Sequence, residues 1–575
     1  METIGTWLTH AVVAVNAWVW SPALVALCLL AGLYFSLRTR FVQVRRFGEM
    51  FRLLFGVNKS RSDKDSSPLK PSNSSPLKPS NPSPLKPSNS SPLKPSNPSP
   101  LKPSNPSPKK KTGISSFQAF AMALSGRVGT GNIVGVATAI GFGGPGAIVW
   151  MWIIAFFGAG SAFVEATLAQ IYKENHNGQF RGGPAYYIEK GLHSPFFGGL
   201  FAVLAAMACG IFLPPVQCNG IALSCSQSFG VPVWTVGALV ALLIAMVIIG
   251  GVKRIANVAQ IVAPFMAMLY IILAIVVLAV HWQIVPSVFL DMLRGAVGIN
   301  EVGGALLGNT IAWGVKRGIY SNEAGQGTGP IVAAAAKVSH PVKQGLVQAF
   351  SVYIDTLLVC TATALMILAC RTYNLIDTVQ QTPAGAVVTY LQQNPAAPEG
   401  EPGVFYTTGA LGTVIGPKAG DMVISIALFF FAFTTIMAYY YYAETNLVYL
   451  FNRWRRRVYK RHPERLDELE RADAVFGDDR GEKVVIWLLR TGTITAVFCG
   501  SLVGSGIVWT LGDIGVGTMA WINIVAILLL SPQALRSLRD YERQKRQGHE
   551  PHFSPRDLGI SQADFWEQYR QEAGV

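Results

Sequence analysis

Charge is scarce in this sequence. Asp, Glu, Lys and Arg make up 14% of its 575 residues, against about a quarter in an average soluble protein. Half of the residues are hydrophobic and the mean hydropathy is +0.35. Soluble domains of this composition would expose far more apolar surface than water tolerates, so the chain reads as a polytopic membrane protein. Cysteine is sparse as well. The seven (Cys28, Cys209, Cys218, Cys225, Cys360, Cys370, Cys499) all lie in apolar stretches without CxxC or Cys/His spacing, so neither a disulfide framework nor a zinc site is implied. The eight His fall mainly in loops, which weakens any histidine proton relay. Nucleophile-elbow, HExxH and kinase signatures are missing. The run Gly178-Gln179-Phe180-Arg181-Gly182-Gly183-Pro184-Ala185-Tyr186-Tyr187 lacks the Walker lysine and the Ser/Thr after it. It reads as a structured turn sealing an inner gate, not as a phosphate cradle. No enzyme chemistry is visible, and no cofactor is implied.

Apolar segments are abundant. About 20 helical residues cross a bilayer core of ~30 Å, and eleven candidate spans emerge: 22–37, 113–140, 147–171, 196–222, 231–250, 258–280, 302–319, 346–369, 422–451, 484–509 and 514–530. The net charge of +15 does not point to nucleic acid, because 42 of the 47 Lys and Arg fall in six segments beside these spans: 38–112, 172–195, 252–256, 316–343, 452–483 and 531–575. All six lie on one side if the spans alternate. The positive-inside rule then puts the N-terminus outside and the C-terminus in the cytoplasm. The first span has no Lys or Arg before it and charges from Arg38 onward, which is not the pattern of a cleavable signal. Residues 66–105 are five copies of an octapeptide such as Ser66-Ser67-Pro68-Leu69-Lys70-Pro71-Ser72-Asn73. Proline at that density forbids helix and sheet, so the unit reads as an extended insert in a permissive cytoplasmic loop.

Two spans carry glycine and polar residues that suit a continuous helix poorly. The second reads Ser125-Gly126-Arg127-Val128-Gly129-Thr130-Gly131-Asn132-Ile133-Val134-Gly135, and the seventh carries Gly308-Asn309-Thr310-Ile311-Ala312-Trp313-Gly314-Val315-Lys316-Arg317-Gly318-Ile319-Tyr320-Ser321-Asn322-Glu323-Ala324-Gly325-Gln326-Gly327. An unwound helix in lipid must line a cavity or be buried in protein. Its freed N–H groups can hold a carboxylate, and its carbonyls can hold Na⁺ or an ammonium group. Close packing through small residues is the other reading. The two segments are five spans apart, which suggests two inverted halves of five after one peripheral helix. Thr434 and Thr435, in the ninth span, offer hydroxyl ligands for Na⁺, or else back-bond to their own helix. Arg127, Glu165, Asp355 and Glu444 are charges at membrane depth, which usually face a cavity or a partner. Glu165 and Asp355 could be gate carboxylates or proton carriers, or could pair with Arg127 or with Lys316 and Arg317 to fix packing. The run Tyr439-Tyr440-Tyr441-Tyr442 reads as interfacial anchoring.

The runs Gly129-Thr130-Gly131-Asn132, Gln179 to Tyr187 and Ser321-Asn322-Glu323-Ala324-Gly325 resemble the alanine/glycine:cation symporter family, also called sodium:alanine symporters. The resemblance covers nearly the whole chain apart from 61–111. It implies a LeuT-like all-α fold of about eleven transmembrane helices: a peripheral first helix within 1–40, a cytoplasmic loop 41–112, inverted repeats 113–280 and 281–530, and a cytoplasmic tail 531–575. It also implies Na⁺-coupled uptake of alanine or glycine across a bacterial inner membrane; the alternative is a proton-coupled amino-acid transporter on the same fold, with Glu165 or Asp355 titrating. By position, the substrate site would use Gly129, Thr130, Gly131 and Asn132, completed by Gln217 and Trp313. The Na⁺ site would use Thr434 and Thr435 with carbonyls around Val128 and Gly131. Pro214-Pro215, a rigid pair beside Gln217, and the Gln326-Gly327-Thr328 variant leave the transported amino acid open.

Overall fold

The computed structural model describes residues 2–55, 113–299, 303–382, 385–461 and 480–573; the octapeptide repeats lie outside them. The described chain is mostly helical. Eight helices are long and apolar enough to cross a membrane: 11–38, Gly146–Ile171, Pro195–Phe229, Gly251–Val280, Pro341–Cys370, 417–458, 481–500 and Ser505–Arg546. The other three predicted spans fall on the broken stretch Ser116–Gly143, on the shorter helix Val233–Ile248 and on Gly303–Asn322.

Helix dominates the described residues, as the all-α expectation has it, but is not the whole of them. Two antiparallel hairpins are present, Glu174–His176 with Gln179–Arg181 and Leu375–Thr382 with Gly385–Gln392. The first turns on Asn177 and Gly178, both at positive φ (49° and 77°), as the favoured two-residue hairpin turn requires.

Among the described residues, two of the long helices and the broken stretch contain π-helical segments: Ala208–Phe212, Tyr353–Cys360 and Gly131–Gly135. The first immediately precedes Leu213-Pro214-Pro215. Proline there has no N–H to give, and the wider turn lets the helix continue through the pair. The tyrosine run is also not an interfacial anchor. All four rings are buried, and Glu444 below them accepts bonds from Arg181 (2.7 Å) and Tyr440 (2.7 Å).

The C-terminal segment packs back on the body. Phe553 N–H donates to the Ser339 carbonyl (3.1 Å), Ser339 Oγ to the Pro551 carbonyl (2.8 Å), and Trp566 Nε1 to the Gln170 carbonyl (2.8 Å). Beneath it Lys173 is fully buried. Its Nζ donates to Gln170 Oε1 (2.7 Å) and the Ala336 carbonyl (3.1 Å), and lies 4.5–4.8 Å from the centres of the Phe180, Phe565 and Trp566 rings. Burial pushes the Lys173 pKa well below its ordinary value, while the carbonyls and ring faces favour the ammonium form.

Candidate functional site

The first break falls at Val128 and Gly129. The helix Ser116–Arg127 opens on a capping box, with Ser115 Oγ accepting from Gln118 N–H and the Gln118 side chain accepting from Ser115 N–H. It ends where Val128 turns extended (φ −80°, ψ 93°). Asn132 Oδ1 caps the resumed helix by accepting from Gly129 N–H (2.9 Å), and Gln217 Oε1 accepts from Thr130 N–H (3.0 Å). Only glycine fits at 129. A Cβ there would lie 2.5 Å from Thr435 Oγ1 and 2.7 Å from Gln217 Oε1.

The second break lies at the far end of the seventh span's glycine-rich run. Gly308, Gly314 and Gly318 lie inside the continuous helix Gly303–Asn322; Gly314 packs on the backbone of Ala147 and Gly318 on Ile154. Gly314 and Gly318 serve close helix approach, while a Cβ at Gly308 would meet open space. The chain unwinds after Asn322, where Glu323, Gly325 and Gly327 all take positive φ (55°, 83° and 94°), and resumes as the short helix Gly329–Ala335. The span boundary at 319 falls short of this segment, which the glycine-rich run to Gly327 includes.

The breaks are bonded to each other. Asn132 Nδ2 donates to Asp355 Oδ1 (2.7 Å) and Ser321 Oγ (3.2 Å), and Ser321 Oγ donates to Asp355 Oδ2 (2.7 Å). Thr363 Oγ1 donates to the Asn132 carbonyl (2.7 Å). Arg127 closes the network from the other side, donating through Nε to the Asn322 carbonyl (2.6 Å) and through Nη1 to Gln348 Oε1 (3.2 Å) and to Ser351 Oγ. A two-residue bridge then ties the ends together: Ile114 N–H donates to the Ala335 carbonyl (3.1 Å) and Lys337 N–H to the Ile114 carbonyl (2.9 Å).

The structure separates residues that the sequence groups. Thr435 Oγ1 points at the first break, 2.8 Å from the Ser125 carbonyl and 3.2 Å from that of Val128. Both hydroxyls lie 3.0 Å from the Phe431 carbonyl of their own helix, but Thr434 Oγ1 otherwise meets Met266 Sδ (3.8 Å) and not the break. The Gly131 carbonyl is taken up by Val136 N–H. Hard oxygens for a cation therefore converge from Thr435, Val128 and Ser125, without Thr434 or Gly131. Trp313 stacks on Phe142 (4.6 Å between centroids) in the wall of a cavity of about 410 Å³. That cavity also meets Gly220, where a Cβ would sit 2.7 Å from Thr130 Cγ2. The Oγ1 of buried Thr130 has no hydrogen-bond partner among the described residues.

The charged residues find other partners than expected. Lys316 (2.6 Å) and Arg317 (3.0 and 3.3 Å) both bind Asp513, a residue the sequence reading passed over. Arg127 makes no ion pair among the described residues. Glu165 accepts from Gly325 N–H (3.3 Å) and Asn523 Nδ2 (2.9 Å). Glu323, fully buried, was visible inside a quoted motif but carried no role there.

The family described as "Sodium:alanine symporter family" matches residues 5–71, 101–462 and 477–555; the gap at 72–100 falls in the octapeptide repeats. "Putative sodium/proton-dependent alanine carrier protein YrbD" of Bacillus subtilis is 45% identical over 98% of this chain and 98% of its own length. "Probable sodium/glutamine symporter GlnT" of the same organism is 36% identical over 95% and 93%. "Sodium/alanine symporter AgcS" of Methanococcus maripaludis is 32% identical over 90% and 93%. With a match this long, a scaffold of membrane-length helices and two interrupted segments bonded to each other, the chain belongs to the sodium:alanine symporter family and is a multi-pass membrane transport protein.

Proposed function

We propose that this chain imports a small neutral amino acid, alanine or glycine, together with Na⁺ by alternating access. The observation that carries the reading is Thr435, whose hydroxyl stands with the Ser125 and Val128 carbonyls at the first break. Hard oxygens from two helices suit Na⁺, and half-helix N–H groups suit a carboxylate. Gly129–Asn132 would line the place of the substrate carboxylate, with the unpartnered Thr130 hydroxyl as its donor, while Asn132 and Gln217 already hold the Gly129 and Thr130 N–H groups. Gln217 would fix that backbone, and Trp313 would wall the approach. The names of the alanine relatives support this substrate; the glutamine relative marks how far specificity could move within the family.

On this reading the fold is LeuT-like, with eleven spans in two inverted halves at 113–280 and 281–530 after the first helix. The N-terminus lies outside and the tail lies in the cytoplasm of a bacterial-type cell. The cavity beside Trp313 is then the outer vestibule, and the Lys173 cage belongs to the inner closure. The energetics suffice. A tenfold Na⁺ gradient supplies about 1.4 kcal/mol, and 100 mV supplies about 2.3 kcal/mol for the charge. Together, roughly 3.7 kcal/mol supports about 500-fold accumulation of a zwitterion.

The test is uptake of radiolabelled alanine into proteoliposomes under an inward Na⁺ gradient, then under an inward H⁺ gradient. Accumulation with Na⁺ alone, competed by glycine, is the expected result. Accumulation with H⁺ alone would replace Na⁺ as the driving ion, and no uptake with either would remove alanine as substrate.

A further inference from the structure

The charge balance between the two breaks is unequal. Three fully buried carboxyl groups converge on residues 321–325: Ser321 binds Asp355, Gly325 N–H binds Glu165, and Glu323 lies between them. Arg127 alone opposes all three. Fully ionised, the group carries two negative charges without compensation. The other titratable groups facing Glu323 add no cation: they are Tyr320, Cys209, and Tyr439 and Tyr442 of the 417–461 helix. Uncompensated charge at membrane depth is costly and marks ion or proton pathways.

Hydrogen bonding distinguishes the three. Asp355 accepts from Asn132, Ser321 and Thr356, each at 2.7 Å. Glu165 accepts from Gly325 and Asn523. Glu323 accepts none among the described residues, at either oxygen. The hydroxyls of Thr328 and Tyr442 approach it without closing a hydrogen bond, and both are themselves unpartnered. Arg127 gives its Nε and Nη1 to Asn322, Gln348 and Ser351 instead. A carboxylate is an acceptor only, whereas a carboxylic acid has an O–H and needs fewer donors.

We propose that Glu323 is a proton-binding site and that its proton is carried with the substrate. The proton comes from water on the entry side, forms an O–H bond at one Glu323 oxygen, crosses with the closed core and returns to water on the other side, leaving the carboxylate. One Na⁺ near Thr435 and one proton on Glu323 together supply the two missing positive charges. The inference rests on the amino-acid symport reading above.

The test uses the full chain in proteoliposomes with an entrapped pH dye, comparing proton inflow per alanine with alanine counterflow at equal Na⁺ on both sides. Wild type is expected to acidify the lumen when alanine enters. Glu323→Gln should lose acidification while any remaining counterflow proceeds without proton movement, and Glu323→Asp, which keeps a carboxyl group, should restore acidification. Na⁺-driven alanine uptake without acidification in the wild type overturns the proposal even if Glu323→Gln fails to fold. So does acidification that persists in Glu323→Gln. Absence of wild-type counterflow brings down the alanine reading, and this inference with it.

Discussion

The two helix breaks solve one problem in different ways. At the first, between Arg127 and Thr130, each exposed backbone group meets a specific side chain: Asn132 takes Gly129 N–H, Gln217 takes Thr130 N–H, and Thr435 meets the Ser125 and Val128 carbonyls. At the second, from Glu323 to Thr328, the carboxylate of Glu323, the amide of Gln326 and the hydroxyl of Thr328 are buried without hydrogen-bond partners among the described residues. Buried polar groups are normally paired because an unpaired one loses its hydration for nothing. The first break is framed at its backbone and leaves the Thr130 hydroxyl open to a ligand, whereas the second leaves three polar side chains open in its own wall.

The most damaging way to break this contrast is to cut the link between the two sides. Asn132→Ala removes one donor from the buried Asp355 carboxylate and the cap on Gly129. Hydrogen bonds to charged groups are worth about 1.5–3 kcal/mol, so alanine uptake should fall by roughly 10- to 150-fold at unchanged membrane expression. Uptake within twofold of wild type would show that the link is dispensable.

Gly129→Ala tests how tight the first break is. The added methyl meets Thr435 Oγ1 and Gln217 Oε1 at 2.5 and 2.7 Å, and overpacking of this kind costs about 1–3 kcal/mol. Both the alanine KM and the Na⁺ requirement should rise, because the methyl group touches a residue of each proposed site. A change in only one would separate the two sites.

Thr435→Val and Thr434→Val sharpen the comparison within a single helix. Removing the hydroxyl at 435 should raise the Na⁺ concentration for half-maximal uptake about tenfold, or ~1.4 kcal/mol. The same change at 434, whose hydroxyl faces Met266, should move it less than about twofold by the same measure. Equal shifts would return both residues to the Na⁺ site.

The smallest effect is expected where the tail packs behind the second break. His340 is buried against the Tyr541 and Phe553 rings, and burial holds its pKa below the usual 6.5 in spite of Asp540 at 3.4 Å. When the tail lifts and His340 is exposed, it binds its proton more readily. Docking should therefore be at full strength above pH 6.5 and weaken as the pH falls from there towards the lowered value. Limited proteolysis should release the C-terminal segment faster at pH 5.5 than at pH 7.5, and His340→Gln should flatten that difference.

Much of this was legible in the residues. Eight spans were readable because a membrane helix satisfies its own backbone and needs only about 20 apolar side chains in a row. The first break could be placed because Gly129, Gly131 and Asn132 sit in one turn. The second could only be bracketed by glycine content: the run to Gly327 contains the unwinding at Gly325 and Gly327, but Gly314 and Gly318 within it answer to neighbouring helices. The tyrosine run misled for a related reason: a ring at a span end anchors to lipid headgroups only if no other helix covers it, and here Arg181 and the helices around Glu444 do.

The sequence by itself determined the membrane class, the rough register of the spans and one interrupted helix, because each depends on local composition and on what lipid cannot solvate. Tertiary structure alone decided that Thr435 and not Thr434 faces the break, that Lys316 and Arg317 bind Asp513, and that Glu323 closes no hydrogen bond among the described residues. Helical neighbours one residue apart point about 100° apart, and ion pairs between distant spans depend on which helices pack together. No reading along the chain contains either.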